Sequence, residues 1–169
     1  RGSDPDAAVH YLARLLDGGA DIQMIGRRLL VMASEDVGMA YPSAISIVTA
    51  CVQAAQMVGM PEAVINLAQA VVLMAAAPKS NASYMALEEA MHDIKTKKID
   101  DVPNHLKDTH YKGAADLGYG GYKYPHAYGG YVKQQYLPDN LYKQGVKYYK
   151  PTENGSEAAF KKYLESLEK

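Results

Sequence analysis

From residue 37 to residue 78 the sequence contains a single charged residue, Glu62, and this neutral stretch strongly constrains the fold. Pro42 and Pro61 are placed to open two helices within it, and Gly59 separates them. A helix that is apolar almost all round must be covered on most of its surface, by its own domain or by another subunit. The stretch therefore predicts two largely buried helices, the second ending before Pro78.

Helical patterns also occur on both sides of this stretch. Ser3 is expected to cap a first helix, which ends at a Gly-Gly pair, and Asp21 a second helix that stops near Gly38. Ser80 or Asn81 can cap a fifth. Two of the expected helices have one apolar side: the fifth, with Tyr84, Leu87, Met91 and Ile94, and a C-terminal helix over 156–168, with Phe160, Tyr163, Leu164 and Leu167. We expect the C-terminal helix to dock on the bundle.

The segment from 103 to 150 has a different composition. Ten of the 14 tyrosines lie between Tyr111 and Tyr149, mixed with glycine, proline and lysine. Seven lysines against three aspartates give this segment a net charge of +4, whereas eight basic and twelve acidic side chains give residues 1–102 a net charge of −4. The glycines and prolines allow only short helical turns and extended pieces.

Two interpretations of this segment remain open. Its tyrosines can cover the helical core with their hydroxyls at the wet edge, which the modest charge and the absence of arginine favour. Alternatively, tyrosines can stack on bases while lysines follow phosphates. The candidate nucleic-acid contacts are Tyr122, Lys123, Tyr124, Tyr131 and Lys133.

The overall composition excludes several classes of protein. With 48% hydrophobic residues, 22% charged residues and a net charge of −1, the chain is neither a disordered tail nor a strongly basic nucleic-acid arm. The single cysteine, Cys51, allows no internal disulfide and suggests a reducing cytoplasm. The longest apolar stretch is shorter than the roughly 20 residues of a membrane span. Since the sequence starts without methionine, we expect a piece of a longer protein.

No convincing catalytic or metal-binding pattern is present. Gly113 to Gly118 has the spacing of a phosphate-binding loop, but Tyr119 occupies the place of the required lysine. A small hydrolase using His105, Asp108 and His110 is an alternative supported only by their proximity in sequence. We therefore expect no catalytic, cofactor-binding or metal-binding residue in this chain, and no enzymatic activity.

Several strings in succession resemble the C-terminal part of the RarA/MgsA family of AAA+ ATPases, which are related to clamp loaders and to the Werner-helicase-interacting protein. They are Arg1 to Ala8, Tyr11 to Arg14, Ala33 to Gly38, Gly59 to Glu62, Leu67 to Ala70, Ala77 to Asn81, Val102 to Leu106, Leu117 to Gly120, Tyr124 to His126 and Gln134 to Pro138.

The resemblance implies an all-α helical bundle, comparable to the clamp-loader collar, that assembles the protein into a homotetramer at stalled or damaged replication forks. It places ATP and magnesium in an ATPase domain absent from this chain. The expected partners are further copies of the chain and that ATPase domain, in the cytoplasm near the nucleoid and with no membrane. Single-strand-binding protein and replication-fork DNA are further candidate partners, which the segment 111–150 would contact.

The sequence and the resemblance together predict one structural domain in three parts: an oligomerisation bundle over 1–98, an irregular segment over 99–150 packed on it, and a C-terminal helix over 151–169. A module that assembles copies of itself must bury apolar surface between them. The expected interface residues are Ile45, Val48, Val52, Val64, Leu67, Val71 and Met74. The main alternative is a module that binds DNA or a replication partner through 111–150.

Overall fold

The computed structural model describes residues 1–110 and 112–167, and within these it contains helices and irregular segments but no strand. The all-α prediction is therefore confirmed. The helices are α1 (Pro5–Asp17), α2 (Ile22–Met32), α3 (Ala44–Val58), α4 (Ala63–Ala76), α5 (Ala82–Thr96), α6 (Asp139–Lys143) and α7 (Glu157–Leu167).

The chain divides into two compact units. The first consists of Arg1–Leu87 together with the chain from Tyr149 onward, and the second is Glu88–Tyr148. The expected grouping of the whole chain into one domain stays a prediction.

Capping residues account for the starts of the first two helices. Asp4, rather than Ser3, caps α1, because its carboxylate accepts a hydrogen bond from the backbone N–H of Ala7 at 2.9 Å. The expectation for Ser3 was therefore wrong by one residue. The carboxylate of Asp21 accepts from the N–H of Gln23, as predicted for α2.

The core of the first unit lies between α1, α2, α3 and α4. Alanines without exposed surface, such as Ala55 and Ala70, allow α3 and α4 to pack closely. Gly26 likewise allows α2 to pack closely against α3, since a Cβ atom there would lie 2.5 Å from Cγ1 of Val52. The helical bundle of this chain thus covers much of the neutral stretch by itself.

A tight connection follows α2. The helix passes into a π-helical stretch, Ala33–Val37, and then a 3₁₀ turn, Gly38–Ala40. Gly38 has a positive φ of 47°, and a Cβ atom there would lie 2.7 Å from the carbonyl oxygen of Ser80. Glycine is therefore needed at this close approach, and the predicted end of the second helical segment near Gly38 is confirmed.

The C-terminal helix belongs to the first unit, but the apolar side expected to dock stays exposed. Phe160, Tyr163 and Leu164 of α7 are exposed by 40%, 58% and 40%. The first unit instead holds the start of this helix: the N–H of Ser156 donates to the carbonyl of Ala40 at 2.8 Å, and Glu157 is fully buried. The helix is therefore attached to the first unit as expected, but through its start and not through its apolar side.

The second unit is mostly irregular, as predicted. It contains the last turns of α5, two 3₁₀ turns (Asn104–Leu106 and Pro125–Tyr128) and α6. Asn140 of α6 is linked to the chain that follows α5. Its side-chain oxygen accepts a hydrogen bond from the N–H of Asp100 at 3.2 Å, and its amide nitrogen donates to the carbonyl of Lys98 at 2.8 Å. Within the described residues, no helix has the length and apolar character that crossing a bilayer requires.

Candidate interaction surfaces

The structure separates the seven expected interface residues into two groups. Val48, Val52, Leu67, Val71 and Met74 are at most 9% exposed and form the core of the chain itself. Because their own bundle covers these five, they cannot present a contact surface on the folded chain, and their assignment to an interface is corrected. Ile45 is 37% exposed and Val64 is partly buried.

The surface of α4 supplies better candidates. Ile65 is 68% exposed and Val72, two turns later on the same side, is 43% exposed. Ala68 and Gln69 lie between them, and no residue from Ala63 to Ala76 is charged. We call this surface, formed by Ile65, Ala68, Gln69 and Val72, the α4 face. An outward surface that is apolar and without charge is typical of a protein contact.

The sequence did not distinguish the α4 face from the core, because Ile65 and Val72 are as apolar as Leu67 and Val71, which are buried in the same helix. The available signal was the spacing of Ile65 and Val72. They lie seven residues apart and therefore on the same side of α4, a helix that is apolar all round.

The first unit also contains an apolar cavity of about 540 Å³ between α1, α2 and α4. At its edge the guanidinium of Arg1 pairs with Asp36 at 2.8 Å, and the ammonium of Lys79 donates to Ser3 Oγ at 3.1 Å. Burial lowers the pKa of Lys79. Most of the lining side chains are apolar, among them Leu12, Ile25 and Leu29, so the chemistry of this cavity suits an apolar group.

The tyrosines of the second unit are more exposed than the covering interpretation requires. Tyr122, Tyr124 and Tyr131 are exposed by 47%, 61% and 39%, and Lys123 and Lys133 are exposed as well. These rings therefore do not form a buried cover, and that expectation was wrong. Whether they contact nucleic acid stays a prediction.

The side chain of Gln134 fixes part of this surface. Its oxygen accepts from the N–H of Lys123 at 3.1 Å, while its amide nitrogen donates to the carbonyl of Lys123 at 2.7 Å and to the hydroxyl of Tyr136 at 2.9 Å. Tyr122 and Tyr136 line an open cleft of about 620 Å³ together with His110. The side chain of Gln134 thus links the backbone of Lys123, the residue after Tyr122, to the hydroxyl of Tyr136.

The three residues of the hydrolase alternative line this same cleft. His110 Nδ1 lies 2.7 Å from Asp108 Oδ1 at an exposed position, whereas Nε2 of His105 contacts the carbonyl oxygen of Gln135 at 2.7 Å. Hydrogen bonds from the N–H and ring of His110 lower the pKa of Asp108. The described residues contain no cluster of three or more side chains able to hold a metal ion.

A buried carboxylate at the start of α7 was also missed. Glu157 accepts hydrogen bonds from Tyr149 OH at 2.7 Å, from Thr152 Oγ1 at 2.5 Å and from the N–H of Thr152 at 3.1 Å, and Ser80 is a further partner. Burial opposes its ionisation, but these hydrogen bonds outweigh burial and lower the pKa of Glu157. In the sequence it looks like an ordinary acid in a first helical turn.

The described residues thus define the class of the chain as an all-α helical domain. The chain belongs to the family described as MgsA AAA+ ATPase C terminal, whose model matches residues 2–168. The resemblance identified from the sequence strings is thereby confirmed.

Individual relatives agree with this assignment. The chain is 53% identical to Replication-associated recombination protein A of Bacillus subtilis, covering 100% of the chain and 40% of that relative. It is 52% identical to an uncharacterized AAA domain-containing protein of Mycobacterium tuberculosis, covering 99% and 37%. It is 36% identical to ATPase WRNIP1 of Dictyostelium discoideum, covering 90% and 18%. The chain thus spans about two fifths or less of the length of these relatives.

Proposed function

We propose that this chain is the non-catalytic assembly domain of an AAA+ ATPase that acts in replication-associated recombination, and that it joins its copies into a homotetramer. The observation that carries the proposal is the α4 face, with Ile65 68% and Val72 43% exposed on a helix without any charge. Covering such a surface with a second copy removes apolar area from water and costs no ion desolvation.

The proposal assigns different tasks to different parts of the parent protein. ATP and magnesium belong to the ATPase domain, since a lysine-bearing phosphate loop is missing from the sequence of this chain. The domain described here sets the number and spacing of the ATPase copies. Single-strand-binding protein and fork DNA remain the proposed partners of the parent protein, in the cytoplasm.

A double substitution on the α4 face tests the proposal. Ile65→Asp with Val72→Asp places two charges on an exposed surface, so the chain should fold, but pairing would bury them without partners. We expect the mass measured by light scattering to fall from that of the wild-type assembly. Gln23→Asp, which adds a negative charge at an exposed position of α2, is the control and should leave the mass unchanged.

An unchanged assembly in the double variant would show that the α4 face is not the contact. A wild-type chain that is monomeric at micromolar concentration would contradict the assembly function itself.

Single-stranded DNA binding by the second unit is a second candidate function. It is favoured by the exposed rings of Tyr122 and Tyr136 at one cleft, which resemble the stacking platforms of sequence-tolerant binders. Fluorescence anisotropy with a labelled oligonucleotide tests it. Binding that is lost in Tyr122→Ala but kept in Tyr84→Ala, an exposed tyrosine outside this unit, would support it.

A further inference from the structure

The apolar cavity between α1, α2 and α4 is built into the core of the first unit. Its inner wall consists of side chains that are at most 9% exposed, among them Leu12, Ile25 and Val71. Its volume of about 540 Å³ lies within the range of ligand-binding cavities, about 300 to 1,000 Å³. The α4 face contributes no residue to this wall, so the cavity is a separate feature of the bundle.

Exposed apolar side chains mark the mouth of the cavity. Tyr11, Leu15 and Met24 line the cavity and are exposed by 60%, 48% and 51%. A methionine side chain is flexible and polarizable, so it can adapt to an apolar molecule of irregular shape. A molecule in the cavity would therefore contact core side chains on its inner side and these adaptable side chains at the mouth.

The charged groups that line the cavity are mainly cationic. Three cations, Arg1, Arg28 and Lys79, stand against two carboxylates, Asp4 and Asp36, so the lining has a net charge of +1. Both carboxylates are already engaged within the chain, because Asp4 caps α1 and Asp36 pairs with Arg1 at 2.8 Å. The cavity is therefore better suited to an anion than to a cation.

Two of the cations can still attract a ligand. The ammonium of Lys79 donates to neutral oxygens, Ser3 Oγ at 3.1 Å and the carbonyl of Ala75 at 3.3 Å. Burial lowers the pKa of Lys79, so its charge would be stabilised by a nearby anion. The guanidinium of Arg28 is exposed and forms no ion pair with the residues that the structure describes.

We propose that this cavity binds a small apolar carboxylate, with the apolar body between α1, α2 and α4 and the carboxylate at Arg28. A guanidinium binds a carboxylate through two parallel hydrogen bonds, which fixes the orientation of the ligand. A neutral apolar molecule would leave Arg28 without a partner, and a cation would be repelled by the positive lining. The site goes beyond the proposed assembly function and does not use the α4 face.

Calorimetry of the chain with sodium decanoate, below its micelle-forming concentration, tests the proposal. We expect decanoate to bind about ten-fold more tightly than decyltrimethylammonium, which has a similar apolar chain and the opposite charge. Arg28→Gln should remove most of this preference. Arg27→Gln is the matched control and should keep it, because Arg27 is the neighbouring exposed arginine and does not line the cavity.

Methyl NMR locates the bound molecule. Decanoate should shift the methyl signals of Ile25 and Leu29, which line the cavity, and leave those of Ile65 on the α4 face unchanged. Failure of decanoate to bind would overturn the proposal, as would equal affinities for the two amphiphiles or equal effects of the two arginine substitutions. Shifts at Ile65 without shifts at Ile25 would overturn it too, because they would place the molecule on the α4 face.

Discussion

Individual tyrosines in the second unit should contribute little to stability. Because the rings of Tyr122 and Tyr124 are about half exposed or more, their replacement by alanine should lower the free energy of unfolding by less than about 1 kcal/mol, as at most surface positions. Urea denaturation checks this value. A loss of about 3 kcal/mol, the range of a buried aromatic ring, would show that the covering interpretation was right after all.

Glu157 should matter far more than its sequence context suggests. Glu157→Gln keeps the shape of the side chain but turns an amide N–H₂ toward donors such as Tyr149 OH and the N–H of Thr152. We expect a loss of about 1 to 3 kcal/mol in the free energy of unfolding. Glu153→Gln is the matched control, because Glu153 is exposed and pairs with Lys161 at the surface. Equal effects of both substitutions would contradict the described network.

The same network predicts a loss of stability in alkali. Burial, together with donation of its hydrogen bond to Glu157, raises the pKa of Tyr149 to about 12. Between pH 10 and pH 12 the unfolded chain loses this proton while the folded chain keeps it, so stability falls as the pH rises, by at most about 1.4 kcal/mol per pH unit. Unfolding of wild type and Tyr149→Phe across this range isolates the effect. Parallel pH curves would contradict the raised pKa.

At the scale of helices, the contact between α2 and α3 depends on one glycine. Gly26→Ala places a Cβ atom 2.5 Å from Cγ1 of Val52, and the overpacking should cost about 1 to 3 kcal/mol despite the better helix propensity of alanine. Thermal unfolding measures this cost. Adding Val52→Ala should recover part of it, and a double variant less stable than the sum of both single changes would argue against a steric origin.

Helices were more predictable from the sequence than their surroundings. Asp21 and Gly59 mark helix boundaries through local chemistry, which does not depend on the rest of the fold. The face that a helix buries depends instead on its neighbours in space. Leu67 and Ile65 look equally apolar in the sequence, yet one is fully buried and the other 68% exposed.

Burial was also predicted wrongly for α7 and for the tyrosine-rich segment, because it depends on neighbours in space. Phe160 and Tyr163 have the spacing of a docking face, but α7 is attached through Glu157 at its start. The tyrosine-rich segment has no periodicity from which burial can be predicted. Hydrogen bonds between distant positions, such as those of Asn140 with Lys98 and Asp100, leave no pattern in a single sequence.

At the scale of the molecule, the chain combines a bundle that buries its own core with apolar surfaces that stay exposed on α4 and α7. The core residues of α3 and α4 are covered within the chain itself, so the proposed assembly would use a surface that remains, the α4 face. Each surface is small compared with a standard interface. The proposed assembly should therefore depend on protein concentration.

The mass of the unmodified chain in solution tests the central claim most directly. Light scattering across a range of micromolar concentrations should give four times the chain mass of 18.4 kDa, with dimers appearing on dilution. A single 18.4 kDa species at every concentration would contradict the assembly function.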